Sequence, residues 1–155
     1  MERAFMFIGG GFLLSVLWFD LKYDGLAWKA MTSGGEVSAA ALGTIRTYYS
    51  QALSTESSGF PLIMSIMGLA VLGALLHAYR GQRLWSRIAL PFLVFIPVGL
   101  AGVRIVPMAN KLAFTENAAA AQSQMAVNIL HDHLLCFGFI STFLVAQLVS
   151  YFLER

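Results

Sequence analysis

The stretch Leu134–Leu153 reads LLCFGFISTFLVAQLVSYFL and contains no charged residue. A helix of about 20 apolar residues is long enough to cross the ~30 Å hydrocarbon core of a bilayer. Charged residues bound this stretch closely, with Asp132 just before it and Glu154 directly after it. The sequence therefore predicts a transmembrane helix here, extended at its start by a polar lead-in to cover about 126–153.

Three further apolar segments predict three more membrane-spanning helices, at about 4–20, 60–80 and 88–107. The overall composition agrees, because 58% of the residues are hydrophobic and 12% are charged, about half of the ~25% usual in soluble domains. Mean hydropathy is +0.72. We expect a single all-α domain over 1–155, an integral membrane protein that forms an antiparallel four-helix bundle in the lipid bilayer.

Composition also excludes several functions. A net charge of +2 is too small for a nucleic-acid-binding domain, so no nucleic acid partner is expected. The single cysteine, Cys136, excludes an intramolecular disulfide. A haem held by two histidines is excluded as well, because His77 lies at the opposite end of the predicted bundle from His131 and His133, about 20 Å or more away.

The loops indicate the topology. The short connection 81–87 is basic, which places it in the cytoplasm together with both termini, and the predicted location is the bacterial inner membrane. In the first long loop, Val37–Leu53 has apolar residues at helical spacing, which predicts an amphipathic helix on the membrane surface with Tyr48 and Tyr49 at the headgroups. Lys111–Met125 lacks Pro and Gly and is predicted to extend the fourth helix beyond the bilayer.

Glycines and prolines lie inside the predicted spans. Small residues let helix backbones approach closely in lipid, so the glycines predict a tightly packed bundle. Pro91 and Pro97 are expected to bend the third helix. The glycines concerned are Gly9, Gly10, Gly11, Gly68, Gly73, Gly99 and Gly102.

Rare polar residues gather at the end of the bundle that carries the two long loops. An ionisable residue in or beside a membrane span is a functional candidate by default. We predict that Arg104 is held by an acidic partner, and that a working site would form at this mouth. The candidate partners are Asp20, Asp132 and Glu116. The mouth contains Asp20, Arg104, Asn110, Asn128, His131, Asp132 and His133.

Only one of the two neighbouring histidines can face the bundle, because residues two apart point about 200° apart around a helix. His131 shares a face with Asn128, and an inward polar stripe costs less than one in contact with lipid. We therefore predict that His131 faces inward. The predicted catalytic set is His131, Asp132, Asn110 and Arg104.

Two alternatives use the same residues differently. The first is interfacial capping, in which these polar groups bind only water and headgroups. The second is a copper site, since thioether and imidazole suit Cu(I). Its ligands would come from Met64, Met67, Met108, Met125, His131 and His133. Outside the mouth, His77 is expected to snorkel or cap at the cytoplasmic edge, and Cys136 to pack as a small hydrophobe.

The stretch Pro107-Met-Ala-Asn110-Lys-Leu112 resembles a Pro-x-x-Asn-x-Leu signature of a family of small four-helix membrane proteins that includes fungal anthrone oxygenases. Gly9–Val16 resembles the glycine-rich opening of that family, and Leu42–Tyr49 resembles its first-loop helix. In the family a histidine heads the fourth span, a place that His131 or His133 would take here.

This resemblance implies a cofactor-independent oxygenase acting on a lipophilic aromatic or phenolic small molecule, with no metal. A histidine polarised by Asp132 or Asn110 would remove a proton from an acidic C–H, and Arg104 or Asn110 would stabilise the enolate. The main alternative is a non-catalytic accessory subunit of a larger membrane complex, in a homo- or hetero-oligomer. A quinone-binding protein is a further, lower-ranked alternative. A transporter also ranks low, since no inverted repeat is visible in the sequence.

Overall fold

The computed structural model describes residues 2–54, 59–80, 83–115 and 118–153. These residues form seven α-helices, joined in two places by other helical turns. Four stretches are long and apolar enough to cross a membrane, namely Ala4–Ser33, Pro61–Arg80, Leu84–Phe114 and Ala119–Leu153. The prediction of an all-α helical bundle is confirmed. The predicted spans 4–20, 88–107 and 126–153 lie within longer helical stretches, and the predicted span 60–80 nearly coincides with Pro61–Arg80. The helices are α1 (Glu2–Asp24), α2 (Trp28–Ser33), α3 (Ala39–Ala52), α4 (Gly59–Arg80), α5 (Leu84–Leu100), α6 (Val106–Phe114) and α7 (Ala119–Leu153).

Successive membrane-spanning helices run in opposite directions. The two ends of the bundle carry different elements. The Arg83 guanidinium donates a hydrogen bond to the carbonyl of Leu153, which places the start of α5 beside the end of α7. Met6, near the start of α1, packs against Gly73 near the end of α4. We call this the termini end. The opposite end carries α3 and α6, and we call it the α3 end.

Three glycines allow the close helix approach that the sequence predicts. A Cβ on Gly9 would lie 2.8 Å from the Cβ of Ala70, one on Gly10 would lie 2.9 Å from Leu144, and one on Gly73 would lie 3.0 Å from Met6. Four other glycines of the spans do not contribute to this close approach, because a Cβ there would meet nothing within 4 Å in the described part of the structure. These are Gly11, Gly68, Gly99 and Gly102.

Two glycines of α1 that lie two residues apart, Gly9 and Gly11, give a direct test of this packing. We expect Gly9→Ala to destabilise the bundle by about 1–3 kcal/mol, because the added methyl has no room against α4. Gly11→Ala should instead stabilise by roughly 0.5–1 kcal/mol, because alanine is the better helix former and nothing blocks it. Thermal unfolding midpoints in detergent would measure both. Two shifts of the same sign would contradict the α1–α4 contact.

The third membrane-spanning stretch is continuous but irregular. Between α5 and α6 the backbone forms a π-helical turn at Ala101–Ile105, in which the N–H of Val106 donates to the carbonyl of Ala101, five residues earlier. Pro107, which has no N–H to donate, follows directly. The stretch packs differently on the two sides of this turn: α5 packs mainly against α7 and α4, whereas α6 packs mainly against α3 and α7.

The amphipathic helix predicted in the first long loop is present as α3. Ser38 caps it by accepting a hydrogen bond from the backbone N–H of Ala41. Its apolar face, with Leu42, Ile45 and Tyr49, is buried against α6 and α7. The prediction that both tyrosines lie at the headgroups is therefore wrong, since Tyr49 is only 4% exposed.

The predicted extension of the fourth helix over Lys111–Met125 is correct for the second part of that stretch and wrong for the first. The first residues of that stretch continue the third membrane-spanning segment, and α6 ends at Phe114. Thr115 has an extended backbone, with φ −114° and ψ 136°, and this breaks the helix. A new helix, α7, begins at Ala119.

Candidate functional site

An apolar cavity of about 420 Å³ lies in the half of the bundle nearer the α3 end. Most of its wall is aliphatic, from residues such as Leu17, Ile63 and Ile105. Asp20, Tyr49 and His133 add polar groups to the same wall. A volume of this size is within the usual ~300–1,000 Å³ of small-molecule sites, and an apolar wall with few convergent polar groups is typical of them.

The His133 side chain is held between two carboxylates of α1. Its Nδ1 lies 2.6 Å from Oδ2 of Asp24, and its Nε2 lies 3.8 Å from Oδ2 of Asp20. The short contact to a carboxylate assigns a proton to Nδ1, so Nδ1 donates to Asp24. Nε2 is then the nitrogen available for proton transfer, on the side of Asp20, which lines the cavity together with His133.

Two tyrosines of α3 complete this group, which we call the His133 cluster: Asp20, Asp24, Tyr48, Tyr49 and His133. The hydroxyl of Tyr48 donates to Oδ1 of Asp20, and that of Tyr49 donates to Oδ1 of Asp24 at 2.8 Å. Burial, reinforced by these carboxylates, raises the pKa of both tyrosines well above the ordinary value. The phenols therefore stay protonated and donate hydrogen bonds to the carboxylates. These hydrogen bonds offset the free-energy cost of burying the carboxylates of Asp20 and Asp24.

The predicted ion pair of Arg104 is confirmed. Arg104 Nε lies 3.0 Å from Oδ2 of Asp132. The Asp132 side chain is 1% exposed and that of Arg104 is 54% exposed. Oδ2 nevertheless has no hydrogen bond of good geometry among the described residues, so this contact is an ion pair by distance and charge. Of the other two predicted partners, Asp20 belongs to the His133 cluster and Glu116 lies outside the described residues.

The structure brings three members of the predicted catalytic set together. Nδ1 of His131 lies 3.6 Å from Oδ1 of Asp132, which also pairs with Arg104. None of the three lines the cavity. Asn110, the fourth member, is exposed on α6 and does not line the cavity either.

The prediction that His131 faces inward is wrong. Its side chain is 62% exposed, whereas that of His133 is 6% exposed. His131 and Asn128 do lie on a common side of α7, but it is the outer one, where Asn128 accepts a hydrogen bond from Gln124. The physical reason is the apolar stripe Ile129, Cys136 and Ile140, whose burial rotates His133 inward.

Asp24, Tyr48 and Tyr49 were missing from the predicted site. The first helix continues one turn beyond Asp20, so that Asp24 lies on the same face as Asp20. That spacing of four residues is visible in the sequence and could have identified the carboxylate pair. The inward direction of the tyrosines was not visible, because it depends on how α3 packs.

The residues of the copper alternative are only partly assembled at one place. Met64, Met67 and His133 line the cavity, whereas Met108 and Met125 pack against the hydrophobic core and His131 is exposed. Within residues 2–54, 59–80, 83–115 and 118–153, no group of three or more His, Cys, Asp or Glu is placed to hold a metal ion.

A second polar group lies near the termini end. His77, predicted to snorkel at the edge, is instead 1% exposed, and its Nε2 lies 3.1 Å from Oγ of Ser86. Because Ser86 donates its own proton to the carbonyl of Arg83, His77 Nε2 is the donor in this contact. Gln147 is buried nearby, and neither of its amide atoms has a hydrogen-bond partner among the described residues.

The buried amide of Gln147 gives a stability prediction. We expect Gln147→Met to raise the free energy of unfolding by about 1–3 kcal/mol, because the substitution keeps the volume and removes an unsatisfied polar group. Gln124→Met on the exposed side of α7 is the matched control and should give no gain. A loss of stability in Gln147→Met would show that the amide is satisfied in the membrane. Thermal unfolding in nanodiscs would measure the difference.

Comparisons of the sequence and the structure with family models, curated proteins and solved structures gave no match. The resemblance to anthrone oxygenases therefore stays a prediction. The four apolar helices define the chain as an integral membrane protein of the all-α class. The site adds a buried histidine held by carboxylates at the wall of an apolar cavity.

Proposed function

We propose that the protein is a cofactor-independent oxygenase for a lipophilic phenolic substrate, with His133 as the general base. The observation that carries the proposal is the 2.6 Å contact between His133 Nδ1 and Asp24, beside a cavity whose wall is mostly apolar. A carboxylate that binds one imidazole nitrogen fixes the tautomer and stabilises the imidazolium formed when the other nitrogen accepts a proton.

The mostly aliphatic lining of the cavity indicates the chemical class of the substrate. A flat aromatic molecule gains by burial among aliphatic side chains, and its one polar edge can lie toward Asp20 and His133. An anthrone is such a molecule, and its CH2 group is acidic because two aromatic rings and a conjugated carbonyl share the resulting negative charge. His133 replaces His131 as the proposed base because only His133 lines the cavity.

The reaction begins when Nε2 of His133 takes one proton from the CH2 group. The carbanion donates its electron pair to dioxygen and forms a C–O bond, and the proton held by His133 passes to the terminal oxygen to give a hydroperoxide. His133 then takes the second C–H proton, the electron pair of that bond forms the C=O bond while the O–O bond breaks, and the departing hydroxide takes the proton from His133 to give water. In total, one CH2 and one O2 become one C=O and one H2O. The substrate is thus the reductant and dioxygen the oxidant, so no metal or organic cofactor is required.

Oxygen uptake tests the proposal. The protein in nanodiscs with a chelator present would be mixed with a hydroxylated anthrone, and dioxygen consumption and quinone formation would be followed together. We expect one dioxygen consumed for each quinone formed, at a rate above that of empty nanodiscs. No acceleration with any of a series of anthrones would contradict the proposal and would favour the accessory-subunit alternative.

A further inference from the structure

The cavity wall reaches the outer surface between two helices. Met64 on α4 and Gly102 in the π-helical turn both line the cavity, and both are exposed, Met64 to 49%. A Cβ built on Gly102 meets nothing within 4 Å. The wall is therefore thin on this side and has no side chain at position 102 to close it.

Helix packing explains why this side is open. α4 packs mainly against α1 and α5, while α6 packs mainly against α3 and α7. Among the described residues, neither α6 nor the π-helical turn makes an extensive contact with α4, because the third membrane-spanning segment changes its packing partners at that turn. Irregular π-helical turns are frequent at functional sites.

The surroundings of this gap are apolar, as is expected of a surface that faces hydrocarbon. Val103, beside Gly102, is 79% exposed, and Leu62, near Met64, is 53% exposed. The first charged group beyond Gly102 is Arg104, whose ion pair with Asp132 marks the polar boundary of the bundle. Gly102 thus lies on the hydrocarbon side of that boundary, within about one helical turn of it.

We propose that the gap between Met64 and Gly102 is a lateral portal, through which neutral, lipophilic, planar molecules pass directly from the bilayer into the cavity. This route deepens the proposed function and rests on it for the identity of the substrate. The portal itself depends only on the residues that border the gap, so access to the cavity can be measured without substrate turnover. A molecule that enters at this level keeps its polar edge near the headgroups while its rings enter the cavity.

Cys136 provides the readout, because it is the single cysteine of the sequence and lines the cavity while being 2% exposed. The protein in nanodiscs would be treated with phenylmercuric acetate, which partitions into lipid, or with p-chloromercuribenzenesulfonate, which carries a fixed charge and stays in water. We expect the lipophilic reagent to modify Cys136 and the sulfonate to leave it unmodified. Mass spectrometry gives the rates, and Cys136→Ala gives the background.

Gly102→Phe should slow the lipophilic reagent by roughly tenfold or more, which corresponds to about 1.4 kcal/mol of added barrier. Gly99→Phe is the matched control and should leave the rate unchanged. Gly99 lies on the same membrane-spanning segment, is exposed, and has open space around its Cβ, but it does not line the cavity. Met64→Trp, on the other border of the gap, should reproduce the slowing.

Three results would overturn the portal. These are equal rates for the two reagents, no reaction of Cys136 with phenylmercuric acetate, or unchanged rates in both Gly102→Phe and Met64→Trp. Failure of the proposed function looks different, because the labelling pattern would then be as expected while no anthrone is oxidised. Slow anthrone turnover in Gly102→Phe with normal turnover in Gly99→Phe would show that the substrate of the proposed reaction enters through the portal.

Discussion

His133→Asn is expected to lower the rate of anthrone oxidation by about 10²–10⁴-fold, the usual contribution of a positioned general base. The asparagine amide can still donate to Asp24 from near the position of Nδ1, so the carboxylate keeps a partner. What is lost is the nitrogen that accepts the substrate proton. Initial rates of quinone formation in nanodiscs, with thermal unfolding midpoints to confirm folding, would measure the effect.

His131→Asn is the matched control, because His131 lies two residues away on the same helix but is exposed and does not line the cavity. We expect its rate to stay close to that of the unmodified protein. The reverse result, with activity lost in His131→Asn and kept in His133→Asn, would support the set predicted from sequence and contradict the role of the His133 cluster.

The membrane-spanning helices could be predicted because the hydrocarbon core imposes a length and a composition on any segment that crosses it. Leu134–Leu153 meets both conditions without reference to the rest of the chain. Helix ends were less predictable, because the bilayer does not dictate them. α1 continues to Asp24 and α6 continues to Phe114, in both cases beyond the last residues of the predicted spans.

The polar end of the bundle could be located from sequence, but the residues that face the cavity could not. Position along a helix sets the depth of a side chain, and this was sufficient to place His131 and His133 at the same end as Asp20. Direction around the helix depends on which stripe of α7 packs inward, and that stripe is defined by contacts with α1 and α5. The tyrosines of α3 depend in the same way on how a loop helix folds back onto the bundle.

Arg104→Met is expected to destabilise the bundle, because it removes one partner of the ion pair with Asp132. Removing one partner of a fully buried ion pair costs about 3–5 kcal/mol, because the remaining charge is left buried without compensation. Asp132 is that remaining charge, at 1% exposure. The Arg104 side chain is 54% exposed, so solvent screens the pair and we expect about half of that cost. Thermal and denaturant unfolding in detergent would measure it.

A double-mutant cycle separates the ion pair from other effects of the substitutions. Asp132→Asn alone should cost less than Arg104→Met, because an exposed guanidinium left without its partner can still reach water or headgroups. Combining the two substitutions should recover part of the stability lost in Arg104→Met, since no buried carboxylate then lacks a counter-charge. If the losses of stability in the two single variants were purely additive, the ion pair with Arg104 would not be the reason that the bundle tolerates the buried Asp132. Recovery in the double variant, together with normal anthrone turnover, would show that Arg104 and Asp132 stabilise the α3 end while His133 does the chemistry.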